Sequence, residues 1–194
     1  MATRRLMDGE FRAKYLKPKY VFPFLILLLV LFFFVIPQWK SIRNIFFITL
    51  FFVLGCVSYF YRRFFNVRIG IEFVSVGTFL CTLSYGIGVG FFIGNATALI
   101  SELIGSRIDE RIFVNLLSTN AIVIATPFVA GMAQSNLIIA ALIINLLYNL
   151  IGVGGNMLLG GNPGKTIVFV ATSVFWYLAF FLKIGPIVYS FMIG

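Results

Sequence analysis

Two carboxylates and five carboxamides stand inside otherwise apolar stretches, and they are the groups best placed to do chemistry. Glu72 and Glu102 are the only acids within the apolar region, while Asn95, Asn115, Asn120, Asn145 and Asn149 fall in segments that read as membrane spans. Each is costly facing lipid, so each is expected to point into protein or a water-filled cavity. Asn145 and Asn149 are four residues apart and project from one helix face. Asn95 and Glu102 are seven apart and share nearly one face. Convergence of Asn95, Asn145 and Asn149, with Glu102 as a cytoplasmic floor, would orient a small polar solute. Hydrogen bonding between helices is the structural alternative for the same side chains.

Other chemistry finds no support. Glu72 and Glu102 on neighbouring spans admit acid/base work, but pairing with Arg68, four residues before Glu72, and with Arg107, five beyond Glu102, is the simpler role. The chain has no His, which removes the commonest general base and metal ligand. Cys56 and Cys81 lie in apolar runs without metal or redox spacing. The stretch Gly160-Gly161-Asn162-Pro163-Gly164-Lys165-Thr166 is not a phosphate loop, because Leu159 stands where the first glycine belongs. It reads as a turn with Lys165 at the membrane boundary. The expectation is a protein that is not an enzyme and needs neither metal nor cofactor.

The elements that must position these groups are transmembrane helices. Of 194 residues, 61% are hydrophobic and 11% charged, with a mean hydropathy of +1.05. A soluble domain of this size has no use for so much apolar surface, so the solvent is lipid. The net charge of +9 sits at the ends of apolar runs, where it marks membrane orientation rather than a nucleic-acid partner. Residues 1–19 are basic, with an apolar stripe at Met7, Phe11 and Tyr15, and are expected along the cytoplasmic surface. Residues 20–183 form the transmembrane domain and 184–194 an apolar tail too short to span.

The expected architecture is an all-α bundle of six to seven spans, multi-pass in the cell membrane. Apolar segments run over 20–37, 45–61, 69–85, 86–102, 112–132, 135–152 and 166–182, with 153–165 as a glycine-rich connection. The fifth carries Pro127 and is either a kinked span or a helix broken around a cavity. With the N-terminus inside and seven spans, only Lys40, Arg43 and Lys183 of the fifteen Lys and Arg residues face outward. That asymmetry predicts a cytoplasmic N-terminus. Gly86, Gly90, Gly94 and Ala98 recur every four residues and form a smooth stripe where another helix can approach closely.

The stretch from Arg68-Ile69-Gly70-Ile71-Glu72 through Tyr85-Gly86 to Gly90, Gly94 and Glu102 resembles two groups of small prokaryotic membrane proteins. One is the substrate-binding S components of energy-coupling-factor transporters; the other is the MreD-type rod-shape membrane subunits. In both, a span ends in a turn containing glycine and is followed at once by a glycine-spaced span with an acid near its far end. The resemblance covers about 35 residues. It implies a non-catalytic subunit that either binds a small polar solute and works with an energising membrane partner, or packs as a scaffold among cell-envelope proteins.

Overall fold

The computed structural model describes residues 39–60, 69–105 and 110–194. The expected basic segment 1–19, the first span 20–37 and the cations Arg68 and Arg107 lie outside the described residues. Two compact units divide the chain, Met1–Arg43 and Asn44–Gly194. The helical bundle is the second.

Among the described residues there are seven helices and no strand: α1 (Trp39–Val57), α2 (Phe73–Tyr85), α3 (Ile87–Ile104), α4 (Arg111–Ser135), α5 (Leu137–Leu158), α6 (Pro163–Lys183) and α7 (Gly185–Ile193). Five of them, α1 and α3 to α6, are long and apolar enough to cross a membrane. Large apolar side chains such as Phe113, Phe128, Leu150 and Phe175 stand exposed on their surfaces. A lipid solvent accounts for such side chains, whereas water does not.

Turns are minimal and each has a local cause. Gly86 alone separates α2 from α3, and its φ of +93° is a backbone state that side-chain-bearing residues rarely adopt. Asn136 alone separates α4 from α5; its side-chain oxygen accepts from the Ile138 and Ile139 amides, both at 3.1 Å. Asn162 caps α6 in the same way, accepting from Gly164 at 2.9 Å and Lys165 at 3.3 Å, with Pro163 in the first turn. The Gly160–Lys165 stretch is therefore a turn and a helix start.

Several boundaries differ from the sequence reading. The helix predicted over 45–61 starts earlier, at Trp39, and ends at Val57. The Pro127 segment is one continuous helix of 25 residues. α5 runs on to Leu158 through glycines read as a connection, because Gly155 packs on Val114 and Gly152 lies near Ser118 of α4. Close helix approach thus outweighs the poor intrinsic helix propensity of glycine. The tail forms the short helix α7.

α2 is the shortest helix before the tail and also the central one, packing on α3, α4, α5 and α7. Every residue from Val74 to Thr82 is buried. Its 13 residues rise about 20 Å, short of the roughly 30 Å hydrocarbon core. Residues 69–72 precede it without helical structure, and Glu72 is extended (φ −144°, ψ 145°). Such backbone is tolerated inside a bundle only when its polar groups find partners. Here hydroxyls and an indole supply them: Gly70 N–H donates to Thr172 Oγ1 at 2.8 Å, Phe73 N–H to Ser58 Oγ at 2.9 Å, and Trp176 Nε1–H to the Glu72 carbonyl at 3.1 Å. Gly70 lies flat on α6, where a Cβ would strike the Phe169 carbonyl and the Ser173 backbone.

Candidate functional site

The glycine stripe of α3 is an internal seam. A Cβ on Gly90 would collide with Thr82 of α2, and one on Gly94 would lie 3.0 Å from Thr78 Cγ2 and 3.4 Å from Thr119 of α4. Ala98 is buried, whereas Gly86 faces open space and serves the turn. The threonines fit because their hydroxyls bond back into their own helix: Thr78 to Val74 O and Thr82 to Thr78 O, both 2.6 Å. At Gly90 the Thr82 hydroxyl oxygen itself faces the glycine, and at Gly94 both the methyl and the hydroxyl of Thr78 do.

Polar side chains between α3 and α4 close on each other. Asn95 and Asn120 exchange two hydrogen bonds, Asn95 Nδ2 to Asn120 Oδ1 at 2.9 Å and the reverse at 3.2 Å. Two turns nearer the end of α3, buried Glu102 accepts from Asn115 Nδ2. The first pair is a mutual exchange, and the second is a single bond from Asn115 to the carboxylate.

A second polar group lies between α5 and α6. Asn149 Nδ2 donates to the Asn145 carbonyl and to Asn145 Oδ1, each at 2.8 Å, and reaches Ser173 Oγ at 3.3 Å. Ser173 Oγ donates to Asn145 Oδ1 at 2.9 Å. All three residues are buried, yet Asn145 Nδ2 and Asn149 Oδ1 have no hydrogen-bond partner. An amide left open in an apolar interior carries a desolvation penalty of about 1–3 kcal/mol. Such atoms are disposed to take a ligand or a water.

One turn further along α6 the polarity continues. Tyr177, four residues after Ser173, lies beside the Ser75 hydroxyl of α2 and within electrostatic reach of Glu72. Neither the Ser75 nor the Tyr177 hydroxyl meets a partner in hydrogen-bonding geometry, although both are buried. Glu72 is fully buried; its Oε2 accepts from Tyr59 Oη and its Oε1 has no partner. Gly70 joins the two groups, since its backbone rests on Ser173 while Glu72 sits two residues on. The result is a buried polar seam along α6, from Asn149 through Ser173 to Tyr177, Ser75, Glu72 and Tyr59.

The four ligand residues expected from sequence are therefore distributed. Asn145 and Asn149 are joined in the seam, Asn95 is bonded to Asn120, and Glu102 to Asn115. Sequence reading missed Ser173, Tyr177, Ser75 and Tyr59. The available signals were the four-residue spacing of Ser173 and Tyr177 and the three-residue spacing of Glu72 and Ser75, each placing two polar groups on one side of an apolar segment. Among the described residues no group of three His, Cys, Asp or Glu side chains could hold a metal ion. No family model matches the chain, and neither a curated protein nor a solved structure matches it.

Proposed function

We propose that this chain is a non-catalytic, multi-pass subunit of the cell membrane that binds a small polar solute between α5 and α6. The observation that carries the reading is the pair of open amide atoms, Asn145 Nδ2 and Asn149 Oδ1, side by side in a buried setting. One is a donor and the other an acceptor, a combination suited to a neutral amide, urea-like or heterocyclic edge. With no phosphate-binding loop in the sequence, the energy for transport comes from a partner membrane subunit, in keeping with the resemblance to S components. The N-terminus is cytoplasmic by the asymmetry of Lys and Arg. A reporter fused before Tyr20 and reached from outside intact cells would overturn that orientation.

Native mass spectrometry of gently extracted protein tests the binding reading. The expected result is a small-molecule adduct on the wild-type chain that is lost in Asn149→Leu. A bare chain accompanied only by a second protein subunit would overturn solute binding and leave the MreD-like scaffold role as the better account.

A further inference from the structure

We infer that the face between α3 and α4 is where a second copy of this chain docks, through a twofold contact centred on Asn95 and Asn120 and independent of the α5–α6 solute site. α3 and α4 are both long and apolar enough to cross a membrane, and each asparagine lies at least about 12 Å along its helix from the nearer end. In a bilayer, headgroups and water are out of reach at that depth. Yet neither side chain is buried: both stand half-exposed at the line where α3 meets α4. Phe92 and Leu99 flank Asn95 along its helix, and Leu117 and Ile124 flank Asn120, all four exposed. A lipid tail covers those apolar side chains well and offers an amide nothing.

The bonds within the pair leave capacity over. Asn95 Nδ2 uses both of its N–H bonds, on the Phe91 carbonyl at 2.8 Å and on Asn120 Oδ1 at 2.9 Å. Asn120 Nδ2 donates to Asn95 Oδ1 at 3.2 Å, and among the described residues its other N–H has no acceptor. Each amide oxygen accepts one bond from the other asparagine and can take two. The pair thus lacks one acceptor and carries spare lone pairs, all at one depth. A copy of the same face, related by a twofold axis along the membrane normal, brings those lone pairs to the matching depth and receives the same service in return. Copies inserted the same way obey that symmetry, whereas a different protein would need its own amide or hydroxyl at that level. The flanking side chains are uncharged, so identical faces meet without repulsion.

Sedimentation equilibrium of the full-length protein in density-matched detergent tests the contact. The expected wild-type species has twice the 21.8 kDa mass of the chain and dissociates on dilution. Asn120→Leu should raise the dimer dissociation constant by about tenfold, because the change enters twice and each polar bond between membrane helices is modest. Ile124→Trp should leave the fold intact, since Ile124 is exposed, and yet wedge the two copies apart by a similar factor. Leu150→Trp, on the exposed surface of α5, should leave dissociation unchanged. A wild-type chain that stays monomeric at every concentration, with lipid alone covering the face, would overturn the contact. A complex with a different protein only, found by native mass spectrometry of gently extracted membranes, would overturn it too. So would a dimer that withstands Asn120→Leu, or one that Leu150→Trp weakens and Ile124→Trp does not. Should Asn120→Leu fail to fold, the two tryptophan variants still decide.

Discussion

The α2–α3–α4 side of the bundle and the seam along α6 solve the same problem in opposite ways. Both bury carboxamides and a glutamate among apolar side chains. On the first side the groups that face between helices are bonded: threonine hydroxyls bond into their own helices, Asn95 and Asn120 exchange bonds, and Glu102 takes Asn115. Along α6 the groups touch yet leave Glu72 Oε1, Ser75 Oγ, Asn145 Nδ2, Asn149 Oδ1 and Tyr177 Oη open. Closed polar pairs hold helices together; open ones in a packed interior make sense when something else completes them. The contrast separates bonded from open polar groups within one small bundle.

The comparison breaks most violently at its closed side. Gly90→Leu drives a side chain into Thr82, and overpacking of a helix seam is expected to remove 3 kcal/mol or more of stability, about the upper end for such changes. Size-exclusion chromatography in detergent should show little folded protein, and normal yield would refute the seam. Next, Glu102→Ala strips Asn115 of its carboxyl acceptor in a buried pair, for an expected loss of about 1–3 kcal/mol in denaturant or thermal unfolding. Glu72→Gln should instead leave thermal stability within about 1 kcal/mol of wild type, because one of its carboxyl oxygens has no hydrogen-bond partner to lose. If the two glutamates responded alike, the distinction between closed and open sides would fall.

Smaller effects sharpen it. A double-mutant cycle on Asn95→Leu and Asn120→Leu should give a coupling of about 0.6 kcal/mol and no more than about 1.7, as for polar pairs between membrane helices. Tyr177→Phe should be the mildest. It deletes a hydroxyl with no partner in hydrogen-bonding geometry and should shift thermal stability by under about 0.5 kcal/mol.

How much of this could be read from the chain divides along a physical line. Periodicity and apolar length gave α3, α4 and α6 to within a few residues. A turn at Tyr85-Gly86 was only implied by the resemblance, and its one-residue form is explained by the φ of Gly86. Four-residue spacing placed Asn145 and Asn149 together and made Gly90 and Gly94 a contact stripe. Spacing assigns a residue to a face, however, and says nothing about which helix that face meets. Asn95 was grouped with Asn145 and Asn149 on depth, whereas its partner Asn120 lies on the adjacent helix. The break at residues 69–72 was invisible for the same reason. Ile69-Gly70-Ile71-Glu72 reads as the start of an apolar helix, and only the close contact of Gly70 with α6 explains why it is extended.

The shortness of α2 bears on how the protein enters a membrane during synthesis. A helix of 13 residues cannot bridge the hydrocarbon core by itself, and its glycine, serine and threonines make it a poor candidate for recognition as a span. The partners that satisfy residues 69–72, Thr172 and Trp176, are made about a hundred residues later. Of the described helices, α1 alone precedes it from the ribosome, and α3 follows at once. Gly86 lets α3 fold back against it at once, so the two enter as a hairpin, and the extended lead settles only when α6 arrives. The central helix of the finished bundle is thus among the last to find its full set of neighbours.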